Sequence, residues 1–384
     1  MRLVKAFFSA IRVFVYTFIT TKNKIAITVI ILLLTLSPAM AANYEVLGVG
    51  NLGNASIDES LYAFMDINDS AQIIGPSLNF PGGNGHDLLW DNGSITELGH
   101  LGGNLTAAHS INNLGQIAGA SLTSDGTSHA FIWENNNLQI LDDKSTEAWG
   151  INDSGQVVGF TVGSTLQAML WENNSRIQLG NLGLNFSFAT KINNSNQIIG
   201  ASLISQSVQH AFLWENNVMH DLGTIGERGS SALDINDLGQ VVGVSANLSS
   251  EYYAVLWEND TIMDLGHLGT QMSFAEGINN LGQVVGWSKN SELENRAFIY
   301  ENGEMIDLNS KISSGSGWTL LQAKAINNNG QIVGFGEFNG QSQAFLLSPV
   351  AAPEPVSSTL MLIGGGAMIL RRRYKFPKKR STPA

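Results

Sequence analysis

Short apolar runs alternate with Asn-, Asp- and Gly-rich breaks through the middle of the chain, and the order of the runs repeats. In residues 231–266, SALDINDLGQVVGVSANLSSEYYAVLWENDTIMDLG, a first strand ends at Ile235 and meets Asn236-Asp237-Leu238-Gly239. That tetrapeptide reads as a tight turn, because Gly accepts positive φ and Asn or Asp side chains bond nearby amides. Residues 240–245 are rich in β-branched side chains and read as a second strand. Residues 253–258 form a third, Asn259-Asp260 turns it, and 262–265 form a fourth before Gly266. The third strand is apolar without alternation: Ala130-Phe131-Ile132-Trp133, Ala168-Met169-Leu170-Trp171, Ala211-Phe212-Leu213-Trp214. Both its faces are therefore expected to be buried, each against another apolar layer.

The asparagine of the Ile-Asn pair recurs at Asn68, Asn112, Asn152, Asn193, Asn236, Asn279 and Asn327, at gaps of 44, 40, 41, 43, 43 and 48 residues. A glutamine follows four positions on (Gln72 to Gln331) and a glycine three further (Gly75 to Gly334). Stacked four-stranded sheets around an axis bury both faces of such strands, and a four-stranded unit needs about 40–50 residues. The expectation is an all-β fold, a seven-bladed β-propeller of about 43-residue four-stranded repeats spanning 43–350; a solenoid is the alternative. Tyr44-Glu45-Val46-Leu47-Gly48 matches a fourth strand with no first three before it, and Ala344-Phe345-Leu346-Leu347 is a third strand with no fourth after it. An N-terminal strand that completes the last sheet would close the ring and hide its edges.

Charge separates this body from its ends. Of 32 acidic residues 31 lie between Asn43 and Val350, but only 8 of 20 basic ones, a formal charge of −23. No basic nucleic-acid footprint exists there. The chain has no cysteine, so disulfides and thiolate metal sites are excluded. Residues 1–42 read as a signal peptide: a basic n-region, an apolar run over 25–36, Pro38, and Ala39-Met40-Ala41 as a small-x-small cleavage site. Residues 351–384 read as a tail with a short membrane segment, 356–370, followed by Arg371-Arg372-Arg373. Fifteen residues is short of the about twenty that a spanning helix needs, and the arginines would stay cytoplasmic.

Two resemblances stand on these residues. Gln209-His210-Ala211-Phe212-Leu213-Trp214-Glu215-Asn216 and Ile278-Asn279-Asn280-Leu281-Gly282-Gln283-Val284-Val285-Gly286 resemble the HAF repeat of bacterial extracellular proteins, over 44–347. That resemblance implies no particular activity. Pro353-Glu354-Pro355, the apolar span and Arg371, Arg372 and Arg373 resemble a PEP-CTERM sorting signal. It implies export in a Gram-negative envelope, transient recognition by an exosortase-type membrane protease, and an exopolysaccharide-producing cell. Unlike the usual tail, this one continues for eleven residues, 374–384, past the arginines.

Candidate chemistry is sparse. Asp66-Ile67-Asn68-Asp69 and Asp234-Ile235-Asn236-Asp237 could offer oxygen ligands to calcium, but other repeats carry Ser110, Gly150, Lys191, Gly277 or Ala325 at the first position, so turn chemistry is the better reading. His86, His129 and His210 share a register with Gln167, Tyr253, Arg296 and Gln343, which marks a strand entry and not a metal set. Glu134, Glu172, Glu215 and Glu258 repeat after Trp and read as structural; Glu227, Arg228 and Glu276 break the repeat. No catalytic, cofactor or metal residue is assigned. The expected function is a surface-sorted, non-catalytic binding or matrix-structural propeller associated with exopolysaccharide. A glycan-active hydrolase or lyase is the alternative, because two carboxyls across a cleft would suffice for it.

Overall fold

The computed structural model describes residues 14–17, 28–31, 43–49, 65–76, 85–173, 175–249 and 251–350. The chain divides into two compact units, Asn43–Val350 and the ends Met1–Ala42 with Ala351–Ala384. In the second, Phe14–Thr17 pairs antiparallel with Thr28–Ile31. Ala39 and Ala41 of the signal reading, the segment 356–370, and Pro353, Glu354, Pro355 and Arg371–Arg373 of the tail lie outside the described residues. Among the described residues no helix is long and apolar enough to cross a membrane.

Among the described residues, unit Asn43–Val350 is all strand, turn and loop apart from one 3-10 turn, and its sheets are arranged as a β-propeller. The repeat around Asn236 shows the plan. Gly229–Ile235, Val241–Ala246, Tyr252–Glu258 and Thr261–Asp264 pair in that order, each antiparallel to the next. The second strand begins after Gln240, one residue later than its apolar pattern suggests, because Gln240 belongs to the turn: Asn236 N donates to its carbonyl at 3.1 Å. The turn between third and fourth strands places Asn259 and Asp260 at φ 49° and 56°. Two positive-φ residues match the right-handed strand twist, which selects Asn, Asp and Gly there.

The third strand is buried on both faces. Ala254, Val255, Leu256 and Trp257 are all buried, and Phe131, Phe212, Phe298 and Phe345 are fully so. The core clusters show what covers them: one joins Ile199 and Ala211 to Ala232, Ile235, Val241 and Trp257, residues of consecutive repeats. Another joins Val49, Met65, Ile67 and Trp90 at the beginning to Val333, Phe335 and Leu346 at the end. Tyr44–Gly48 pairs with the last strand from Tyr44↔Pro349 to Gly48↔Phe345. A linear solenoid would leave those two ends apart.

The expectation of a seven-bladed propeller of four-stranded repeats is corrected in its finer part: the all-β propeller arrangement holds, but among the described residues its hydrogen-bonded sheets are not seven of four strands each. Among those residues they are six: four of four strands, one of five and one of eight. Gln209 pairs in parallel with Gly229 and fuses two repeats into the eight-stranded sheet. Gly85–His86 pairs with Leu105 and Thr106 of the next repeat and makes the fifth strand of another. A further element was not expected: Leu308–Lys311 forms a 3-10 turn, capped by Asp307, in the 48-residue interval before Asn327.

The second-strand glycine is fixed by close approach. A Cβ on Gly243 would lie 2.1 Å from the Ser231 carbonyl oxygen, and one on Gly286 1.9 Å from that of Phe274. This approach accompanies a β-bulge in the first strand. Ala232 pairs with Gly243 but Asp234 with Val242, so Leu233 is the extra residue. His109, Trp149, Thr190, Glu276 and Lys324 are bulged at the same place. Bulges re-aim side chains, and here they do so at the axis.

Candidate functional site: the axial cavity and its polar belt

The bulge residues, with Met65 at the same position in the first repeat, line a cavity of about 90 Å³. Asp66, Lys191, Asp234 and Ala325, one position on, complete its wall. These two positions vary from repeat to repeat, so the cavity is asymmetric although the scaffold is not. Lys191 reaches from its own repeat to Asp66, Nζ to Oδ2 2.7 Å, and to Ser110 Oγ at 3.1 Å. The same Asp66 oxygen accepts from Ser110 Oγ and from Ile111 N. Across the cavity Lys324 Nζ lies 3.2 Å from Glu276 Oε1, which also accepts from Trp287 Nε1. Asp234 accepts from Ile278 N at 2.8 Å.

Burial sets the protonation states. It pulls the Lys191 ammonium down, but the charges of Asp66 and Asp234 and the Asp66 hydrogen bond outweigh it and hold Lys191 above the ordinary lysine value. Burial pushes the Asp234 carboxyl up to about 6, against the opposing pull of Lys191 and Ile278 N. Burial brings His109 down to about 4, though its Nδ1 lies 2.7 Å from the Ala148 carbonyl. Outside the cavity, Asp87 takes the third-strand place that Ala fills in other repeats; burial pushes it up to about 7 while it accepts from Ala108 N at 2.7 Å.

At one end of the axis the seven Ile-Asn-Asx turns form a polar opening of about 150 Å³. Each repeat asparagine is spent in the same way. Asn236 Oδ1 accepts from Leu238 N and Gln240 N, and its Nδ2 donates to Gln240 Oε1 and to the carbonyl of Asn279 in the next repeat. The chain of bonds runs from Asn68 to Asn112 and onward, and Asn327 Nδ2 donates to the Asn68 carbonyl at 3.0 Å, closing the circle. A second circle lies outside it. The backbone N–H of Asp69, Asn113, Asp153, Asn194, Asp237, Asn280 and Asn328 each donates to the next residue's Oδ1, the last back to Asp69. The side-chain amides of this outer belt donate to aspartate Oδ2 atoms, as Asn194 does to Asp153 and Asp237.

The candidate residues of the sequence reading fall into place. The Asp66 and Asp234 turns are turns, with both carboxylates facing the axial cavity. Glu134, Glu172, Glu215 and Glu258 accept from Gln116, Gln156, Gln197 and Gln240. His129 Nδ1 lies 3.1 Å from the Asp142 carbonyl, His210 Nδ1 2.9 Å from the Asp221 carboxylate, and the His86 ring 4.9 Å from His100. Among the described residues no group of three or more His, Asp or Glu side chains is placed to hold a metal. Of the repeat-breaking residues Glu276 enters the cavity, and Arg228 lies 5.9 Å over the Tyr252 ring. Sequence reasoning gave no role to Lys191 or Lys324; their signal was a cation where other repeats carry Asp, Ser, Gly or Ala for the first, and Met, His, Trp, Thr, Leu or Glu for the second.

No family model and no curated protein matches the chain. Solved structures with a similar fold include an acylaminoacyl peptidase of Pyrococcus horikoshii, 10% identical, TM-score 0.50, over 82% of this chain and 55% of that one. One of two prolyl endopeptidases analysed for inter-domain dynamics is 7% identical, TM-score 0.50, over 81% and 48%. TolB from Acinetobacter baumannii is 9% identical, TM-score 0.43, over 74% and 63%. The chain thus spans about half to two thirds of these relatives. At such identities the likeness bears on the fold alone.

Proposed function

We propose that this chain is an exported, surface-sorted β-propeller of seven blades, one per HAF-type repeat, that serves as a non-catalytic binding or matrix-structural module associated with exopolysaccharide. The blade count is supported by the seven asparagines of the inner hydrogen-bond circle, each from one repeat. The non-catalytic reading rests on the axial cavity. Two of its three acids are engaged by its two lysines, and about 90 Å³ is far below the roughly 300–1,000 Å³ of small-molecule sites. A glycosidase needs two carboxyls with room for a sugar between them.

A glycan array run beside a reducing-end release assay tests this reading. Binding without turnover is expected; release of reducing ends would establish the enzyme instead. The sorting half of the proposal, an exosortase-type protease acting at Pro353-Glu354-Pro355, is tested by intact mass of protein from the native host. The mature chain is expected to begin near Ala42 and end near Pro355. A major secreted form that keeps Arg371, Arg372 and Arg373 would overturn it.

A further inference from the structure

We propose that a groove beside the closing strand Tyr44–Gly48 binds a neutral hexopyranose unit of a polysaccharide chain. The proposal rests on the glycan-binding reading above and locates its site away from the axis. The groove has a volume of about 520 Å³, inside the range of small-molecule sites that the axial cavity fails to reach.

Its wall is built by the one large departure from the repeat. The 48-residue interval before Asn327 contains the 3-10 turn Leu308–Lys311 and the segment 312–317, with Gly315 and Gly317 at φ 89° and 81°. Asn309 ties this insertion to the sheet: its Oδ1 accepts from Leu320 N at 2.7 Å and its Nδ2 donates to the Leu320 carbonyl at 2.9 Å. Gly317 accepts from Asn339 N at 2.8 Å. The groove is therefore preformed.

Its chemistry suits a sugar. Trp318 and Phe338 lie with ring centroids 5.3 Å apart, and Phe338 is 36% exposed. Asn247 and Asn290 stand at the position of Phe338 in the two preceding repeats, where each caps a turn. The scaffold thus has no need of an aromatic ring there. Aromatic faces accept the C–H face of a pyranose. Ser313, Ser316, Gln343 and Glu45 line the same groove and supply hydroxyl, amide and carboxylate partners for sugar hydroxyls. Among the described residues no lysine or arginine lines it, so an anionic sugar would find Glu45 and no counter-charge there. Gly48 keeps the floor low: a Cβ there would stand 3.1 Å from Gln343 Oε1 and 3.3 Å from Trp318 Cζ2.

Calorimetric titration of the full chain in detergent, with hexamers of glucose, mannose, galactose and a uronic acid, tests the assignment. At least one neutral hexamer is expected to bind and the uronate is not. Phe338→Asn, which installs the neighbouring repeats' residue, and Gln343→Ala should each weaken binding by about tenfold or more, as removal of an interface anchor does, with unchanged melting. Wild-type affinity in both variants would overturn this site while leaving glycan binding elsewhere intact. Binding of the uronate alone would overturn the sugar class. Absence of binding to every glycan of the array and of this series would remove the parent reading and this one together.

Discussion

At the residue scale, the repeat asparagine engages its whole side chain in hydrogen bonds, four of them at Asn236. Asn236 satisfies two turn amides with its oxygen and joins two repeats with its nitrogen. Each buried group left unsatisfied costs about 1–3 kcal/mol. Asn236→Ala should therefore lower the urea midpoint strongly, and Asn236→Asp should as well, because a carboxylate would face Gln240 Oε1 and the Asn279 carbonyl without a proton to donate. A shift in Asn236→Asp no larger than that of an exposed substitution would refute this use of the nitrogen. Gly243→Ala makes a different point. Its Cβ would sit 2.1 Å from a carbonyl oxygen, and overpacking costs about 1–3 kcal/mol or more; a variant as stable as the parent would show that the bulge can relax. The repeated Asn, Gln and Gly were plain in the sequence. Their partners were not, because Asn236 bonds across 43 residues and Gln240 across 18, separations that no local pattern encodes.

At the element scale, the strands were legible because the third is apolar on both faces and turn residues bracket every run. The 3-10 turn was not, since LNSK has no helical period; the 48-residue gap was its only trace. The closing strand was legible as a fourth strand without a sheet. Its burial is narrower than its apolar letters suggest: Tyr44 is buried, Val46 half-buried and Leu47 54% exposed. Deleting residues 43–49 removes the ladder to the last strand, at about 0.5–1.5 kcal/mol net per hydrogen bond. It also removes the buried Tyr44 and Val49, worth about 1.5–3 kcal/mol for each large apolar side chain. The shortened protein should melt well below the parent, with new hydrogen exchange at residues 344–347. Unchanged melting and exchange would refute the closing role of the strand. The bonds of Asn327 to Asn68 and of Asn328 to Asp69 survive this deletion, so exchange at the belt should stay slow.

At the scale of the whole molecule, buried titrating groups pull stability in opposite directions. Asp87, at about 7 when folded, holds a proton that the unfolded chain releases near 3.8. Its contribution is complete below the lower value and is lost as pH rises through the higher one. Asp234, raised to about 6, acts in the same sense. His109, lowered to about 4 from 6.5, acts oppositely: its contribution is complete above the higher value and is lost as pH falls through the lower. Asp87→Asn keeps an acceptor for Ala108 N and should stabilise the protein at about pH 8 but not at about pH 4. Equal urea midpoint shifts at both would refute the burial account. Little of this was readable from the sequence, where Asp87 is one of 31 acids between Asn43 and Val350 and only its place at a third-strand Ala position marks it for burial. The repeat itself fixed the ring-like order of the sheets far better than it did the hydrogen bonds that fuse some of them.

The outer belt carries an arithmetical constraint. Seven is odd, so acids and amides cannot alternate all the way round, and at most three members of such a ring can be chosen with no two adjacent. The belt holds that maximum: Asp69, Asp153 and Asp237 are each flanked by asparagines. The unavoidable like pair is Asn280 beside Asn328, and their amides turn apart, one to Asp237 and the other to Asp69. A fourth carboxylate must therefore touch another. At Asn113 or Asn194 it would touch two, at Asn280 or Asn328 only one. The ranking of the four Asn→Asp variants follows from counting neighbours: the first pair should lose more stability than the second, and added salt should narrow the gap by screening. Equal losses at all four would mean that the belt's charges do not sense one another. A ring with one repeat fewer or more would be even, and could alternate without any such fault.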